Sequence, residues 1–174
     1  MPTPGVAVIG QSGGPTAVIN QTLVGVALAC RARPEVFTRT LGAIHGIQGI
    51  IDGNLCDLGA ETVENLELVA QTPSAALKSV RRKASADDCA KIFARFQSLN
   101  VRSFFYIGGN DTAETTHIIA EMAAQKGYDL ACFHCPKTID NELRRRAIAR
   151  AVVGDAVRRA GVHGRQSRQP LARR

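Results

Sequence analysis

A chain of 174 residues, 45% hydrophobic and 21% charged, is long enough for one domain with a sizeable core but not comfortably for two. No apolar run approaches the roughly 18 to 20 residues a membrane span needs. The amino terminus has no basic region followed by a signal core, so a soluble, cytoplasmic protein is expected. The net charge of +7 is unevenly spread. Residues 1–142 hold 12 Lys+Arg against 14 Asp+Glu, a balance of −2, whereas residues 143–174 hold 10 Arg and one acid, Asp155, a balance of +9. Of the five cysteines only Cys132 and Cys135 stand at Cys-x-x-Cys spacing, with no second ligand pair nearby, which favours ordinary thiols over zinc.

The apolar run Gly5 to Gly10 predicts a strand buried on both faces of a parallel sheet. Ser12-Gly13-Gly14-Pro15 turns the chain into a helix expected from Thr16 to about Ala29, with Val18, Ile19, Val24 and Leu28 on its apolar face. Glycines here let backbone N–H groups approach a phosphate at a helix amino terminus, although a tight turn with no ligand reads the same way. Val36 to Ile44 predicts a second strand, followed by a short helix or turn ending near Gly53. His45 has no carboxylate or serine at useful spacing and is read as a satisfied structural histidine. A helix opened near Glu61 is expected to end at Pro73.

Lys78, Arg81, Arg82 and Lys83 put four cations into six residues, as a solvated basic loop or an anion site. Asp87 to Asn100 then predicts an amphipathic helix with Cys89, Ile92, Phe93, Phe96 and Leu99 on its core face. Ser103 to Ile107 predicts a buried strand that delivers Gly108-Gly109-Asn110-Asp111 to the sheet edge before a helix from Thr112 to Gln125. Asp111 fits magnesium or phosphate chemistry, and equally a helix cap. Leu130 to Phe133 reads as a short buried strand ending in the loop Pro136-Lys137-Thr138-Ile139-Asp140-Asn141-Glu142. A carboxylate beside a lysine suits phosphoryl transfer, because the acid takes the proton of an attacking hydroxyl while the cation neutralises the transferred group. Alternating strands and helices predict an α/β fold: a doubly wound, Rossmann-like parallel sheet with helices on both faces.

Gly10 to Thr16, Gly108 to Thr112 and the heptad Pro136 to Glu142 resemble, in order and spacing, the phosphofructokinase family, and most nearly its pyrophosphate-dependent branch. The resemblance covers about residues 5–143. It implies phosphoryl transfer from pyrophosphate to the 1-hydroxyl of fructose 6-phosphate, with Mg2+, in a family that is usually homo-oligomeric. Gly14 matches a glycine at the phosphoryl donor and Arg81 an arginine that reaches the transferred phosphate. Asp140 matches the general base, Lys137 the cation that stabilises the transition state, and Thr138, with Ile139 and Asp140, the contacts to the transferred group. Asp111 matches the aspartate that fills the room of a nucleotide's α-phosphate, where ATP-dependent members have glycine, and it is implied with Asn110 as a metal contact.

Three departures accompany these matches. Lys78 replaces a glycine whose place in a turn often demands a positive φ. Asn110 stands where many relatives have an aspartate. Glu142 replaces an aspartate and pushes its carboxylate outward by about 1.5 Å. His134 and Cys135 replace small residues and are read as packing variants. After Leu143 no further resemblance to the family is read, and residues 144–174 form a tail rich in Arg and Ala. It is expected to be non-native, the product of a GC-rich gene read out of frame, with a genuine helix over Ala147 to Ala160 as the alternative. On that expectation the chain alone is an inactive donor-binding fragment. The rival readings are an ATP-dependent phosphofructokinase and a non-catalytic Rossmann-like module whose basic tail grips nucleic acid.

Overall fold

In the computed structural model, which describes residues 3–137, five strands form one sheet in the order β3-β2-β1-β4-β5. The strands are β1 (Gly5–Gln11), β2 (Phe37–Ala43), β3 (Leu55–Asp57), β4 (Val101–Gly108) and β5 (Ala131–Pro136). The helices are α1 (Ile19–Arg31), α2 (Ile47–Asp52), α3 (Val63–Gln71), α4 (Ala86–Ser98) and α5 (Asn110–Gln125). β1 pairs in parallel with both β2 and β4, and β4 in parallel with β5. After β3 the chain crosses to the other side of β1, so the strand order reverses between β1 and β4. In open α/β sheets a ligand crevice forms outside the carboxyl ends of the strands at such a reversal.

Alternation along the buried central strands divides the core. Val6 and Val8 of β1 join Phe104 and Tyr106 of β4 on one face, where Ile47 and Ile50 of α2, Ile92 and Phe96 of α4 and Ile119 of α5 cover them. Ile9 and Ile107 point the other way, against Ile19, Leu23 and Ala27 of α1. The expected helices on both faces are therefore present, and Cys89, Ile92, Phe93 and Phe96 are buried on α4 as its period predicts.

Several expectations are corrected. The sheet is mixed: β3 runs antiparallel to β2, because the left-handed C-cap at Gly53 (φ 76°) turns the chain straight back along its neighbour. α1 begins at Ile19 rather than Thr16, and Val18 is its exposed N-cap. β5 extends to Pro136 and is half-buried at the sheet edge, not a fully buried strand ending at Phe133. α5 starts at Asn110, so Asn110 and Asp111 lie in its first turn, while Gly109 is the N-cap and no side chain caps the helix. His45, read as a structural histidine, is exposed. It sits in the left-handed region (φ 65°) at the end of β2, with its Nδ1 3.5 Å from the carbonyl of Ser79.

Candidate active site

At the carboxyl edge of β1, β4 and β5 three turns meet around a cleft of about 330 Å³. Ser12, Gly13 and Gly14 enter from β1, Gly109, Asn110, Asp111 and Thr112 from the start of α5, and Lys137 from the end of β5. Val80, Arg81, Arg82 and Lys83 close the fourth side. The site residues expected from sequence within the described range, Gly14, Arg81, Asn110, Asp111 and Lys137, thus share one cleft. Thr138, Ile139 and Asp140 lie outside the described residues, as do Glu142 and the basic tail.

Charged side-chain ends come close to the first glycine turn. A methyl group on Gly14 would lie 3.2 Å from Nη2 of Arg81 and 3.9 Å from Nζ of Lys137, and one on Gly13 (φ 75°) would lie 3.3 Å from the same Nζ. Two cations therefore converge on the backbone of this turn. The Lys137 ammonium also donates to the Gly14 carbonyl, tying the end of β5 to the end of β1. On the far side, a methyl group on Gly108 would meet Oγ1 of Thr112 at 2.2 Å, so only glycine lets α5 turn this tightly out of β4. The uncapped N–H groups of the first turn of α5 and the carboxylate of Asp111 then border the same space.

The basic segment does not act as four equivalent charges. Nη2 of Arg82 donates to both carboxylate oxygens of Asp88, at 2.7 and 2.9 Å, and Lys83 pairs with Glu114 at 2.9 Å. Of the four cations lining the cleft, Arg81 and Lys137 have no carboxylate partner among the described residues. These are the two charges left to a ligand. Asp88 also accepts from the backbone N–H of Ser85, while Ser85 accepts from Asp88 N–H, a capping box at the start of α4. The Ser85 backbone bond first, then the Ser85 hydroxyl and Arg82, hold the Asp88 carboxyl below its ordinary value.

The remaining contacts explain how the basic segment is held. Val80 carbonyl accepts from Gly13 N–H at 3.1 Å and from Ser12 Oγ at 3.3 Å, and Ser79 donates to the Gly13 carbonyl. Lys78 sits at φ 57°, the left-handed conformation that favours glycine. His134 Nε2 lies 3.1 Å from the carbonyl of Gly108, and burial lowers its pKa, so the neutral imidazole buttresses the turn into α5. Burial pushes Cys132 up to about 12 and Cys135 to about 11, which keeps both thiols protonated and unsuited to a thiolate role. Among the described residues no three His, Cys, Asp or Glu side chains cluster as a metal cage. No helix among them is long and apolar enough to cross a membrane.

Sequence reasoning missed Ser12 and Thr112 as lining residues and Asp88 as the partner of Arg82. The pattern Ser85-x-x-Asp88 directly after the basic run was the available signal for the last.

A mixed, mostly parallel sheet whose switch-point edge carries glycine turns and two cations with no carboxylate partner among the described residues defines an α/β domain with a basic cleft. The chain belongs to the phosphofructokinase family, whose pattern it matches over residues 6–149. It is 49% identical over 139 residues to a pyrophosphate–fructose 6-phosphate 1-phosphotransferase of Rhodospirillum rubrum, an alignment covering 80% of this chain and 34% of the relative. A protein of the same description from Xanthomonas campestris is 41% identical over 138 residues, 76% of this chain and 32% of its own. The crystal structure of a pyrophosphate-dependent phosphofructokinase from Nitrosospira multiformis superposes with a TM-score of 0.75 at 34% identity, covering 79% of this chain and 34% of that one. The chain spans about a third of the length of these relatives.

Proposed function

We propose that this chain carries the donor-binding part of an enzyme that transfers a phosphoryl group from pyrophosphate to the 1-hydroxyl of fructose 6-phosphate, giving fructose 1,6-bisphosphate and phosphate. The observation that carries the proposal is that the Arg81 and Lys137 cations, which converge on the Gly13–Gly14 turn, share one cleft with Asp111. Two cations and a set of backbone N–H groups match a compact, highly charged donor. A carboxylate at the mouth of the following helix repels the extra phosphate that a nucleotide would bring there. The match to relatives described as pyrophosphate-dependent supports the same reading.

In this mechanism Arg81 and Lys137 neutralise the charge that spreads over the transferred group, and the turn at Gly13 and Gly14 fixes the donor in line. Asp140, in the segment after Lys137, takes the proton of the sugar hydroxyl, with Thr138 and Ile139 beside the transferred group. Magnesium fits the chemistry present, since this ion takes one or two carboxylates and completes its shell with phosphate oxygens and water. Asp111 would hold it, with Asn110 adding a neutral oxygen, and bound magnesium would offset donor charge. A cytoplasmic, glycolytic setting and a homo-oligomeric assembly go with this reading. So does the assignment of residues 1–143 to the donor domain and of 144–174 to a non-native tail.

The test is donor choice. Pyrophosphate titrated with magnesium into the chain binds saturably and ATP does not. Asp111→Gly weakens pyrophosphate and relieves the exclusion of ATP. In a full-length enzyme carrying this segment the same order holds for turnover of fructose 6-phosphate. ATP proving the better ligand before any substitution would refute the pyrophosphate assignment.

A further inference from the structure

Arg82 lines the donor cleft next to Arg81, and by position alone it would count as a second phosphate ligand. Its bonds place it elsewhere. Nη2 is spent on both oxygens of Asp88 and Nη1 on Oε1 of Gln48 at 2.5 Å, so the guanidinium bridges the first turn of α4 to α2. Asp88 is only 5% exposed, and its carboxylate also completes the capping box of α4 through Ser85. It is therefore an anchor fixed to a helix rather than a mobile surface acid. We infer that Arg82 is a positioning residue: gripped by Asp88 and Gln48, it holds the basic segment so that Arg81 points into the cleft.

The geometry of the segment gives this its force. Val80 is fixed on one side of Arg81 by the bonds from Gly13 N–H and Ser12 Oγ to its carbonyl. Arg82 is fixed on the other side by Asp88, and Ala84 is buried in the core just beyond. Arg81 stands between two anchored neighbours, with Nη2 3.2 Å from the space a methyl group on Gly14 would fill. Releasing the Arg82 anchor leaves residues 81–83 spanning from Val80 to the buried Ala84 with only the exposed Lys83–Glu114 pair between, a kind that holds weakly. The planar guanidinium holds Asp88 through Nη2 and Gln48 through Nη1 at a fixed angle, a two-nitrogen bridge that a lysine ammonium cannot reproduce.

The inference rests on the donor reading above and makes a prediction of opposite sign to simple charge arithmetic. Asp88→Asn removes a negative charge close to an anion site and, if Arg82 were a ligand restrained by Asp88, would free it to bind. Both effects would tighten binding. Positioning predicts the reverse.

The experiment is calorimetric titration of magnesium pyrophosphate into the 174-residue chain and its variants Asp88→Asn, Arg82→Lys, Arg81→Gln and the double variant Arg81→Gln/Asp88→Asn, with folding checked by circular dichroism. Asp88→Asn and Arg82→Lys each weaken binding by about 10-fold. In the Arg81→Gln background Asp88→Asn changes affinity by less than about 2-fold, the non-additivity expected of groups acting through one another. If removing the capping carboxylate prevents folding, Arg82→Lys, which leaves the capping box intact, carries the same comparison. Equal or tighter binding by folded Asp88→Asn or by Arg82→Lys, or a loss that adds in full to that of Arg81→Gln, overturns the inference while leaving the donor reading standing. Failure of the unaltered chain to bind pyrophosphate overturns both.

Discussion

Lys78 holds a left-handed backbone, φ 57°, in the turn that leads into the basic segment. For a residue with a Cβ this region costs roughly 1–2 kcal/mol, because the side chain crowds the following carbonyl. Its side chain is exposed and no ion pair is found for it among the described residues, so little offsets that cost. Glycine would remove the crowding but lose about 0.5–1 kcal/mol through a freer unfolded chain. Lys78→Gly is therefore expected to stabilise the protein by about 0.5–1 kcal/mol, read as a rise in the urea midpoint at unchanged slope. A fall in the midpoint would mean that the lysine makes a compensating contact. His45, also left-handed, is tied to this turn, since its N–H donates to the carbonyl of Leu77 at 2.8 Å. Two non-glycine residues in this conformation thus occupy turns joined by a backbone hydrogen bond, just before the basic segment.

Between elements, the basic segment is carried by a buried amide pair as much as by its own contacts. Gln11, at the end of β1, and Asn20, in the first turn of α1, are 0% and 1% exposed, and both face the chain that follows α3. Gln11 Oε1 accepts from Leu77 N–H at 2.9 Å, and its Nε2 donates to Asn20 Oδ1 at 3.0 Å. Asn20 Oδ1 also accepts from Ala76 N–H at 2.8 Å, while Nδ2 donates to the carbonyl and hydroxyl of Thr72 at 3.1 and 3.0 Å. The amide groups are satisfied by a segment some 52 to 66 residues away in sequence. Asn20→Leu keeps the number of side-chain heavy atoms but strands the Ala76 N–H in the interior and leaves Gln11 Nε2 only its longer bond to the Ile19 carbonyl, at 3.3 Å. An orphaned group costs about 1–3 kcal/mol and a lost hydrogen bond about 1 kcal/mol, so a loss of about 2–4 kcal/mol is expected in equilibrium unfolding. A change below about 0.5 kcal/mol would show that water replaces the side chain at no penalty. Nothing in the local pattern around Asn20 announces this role, because its partners are distant and a lone asparagine on a helix is commonplace. The central strands and α4 were legible for the opposite reason: their burial writes a period of two or of 3.6 into neighbouring residues. β3 was not, since Leu55–Asp57 is too short to show a period, and the half-buried β5 read as more apolar than its edge position makes it.

At the scale of the whole molecule, the cleft exists only when the sheet is assembled. Gly14 belongs to the end of β1 and Lys137 to the end of β5, 123 residues apart, with the turn from β4 into α5 between them. The three motifs were legible singly, each as a glycine or charge cluster after an apolar run, but their convergence follows from the strand order, which places β4 between β1 and β5. An unfolded chain has no such convergence, so a ligand that needs all three turns binds only the folded state and stabilises it by mass action. At 100 times its dissociation constant, magnesium pyrophosphate should add about 2.7 kcal/mol, which for a chain of this size raises the Tm by roughly 5–11 °C. Inorganic phosphate, with fewer charges to share between Arg81 and Lys137, should need a much higher concentration for the same shift. Lys137→Met removes the cation that spans the two ends of the sheet and should abolish most of the pyrophosphate shift while leaving the ligand-free Tm within a few degrees, because the lysine is only half-buried at the sheet edge. A full pyrophosphate shift in Lys137→Met would place the bound anion away from this cleft, against α4 or the basic tail, and would detach the glycine turns from any part in donor binding.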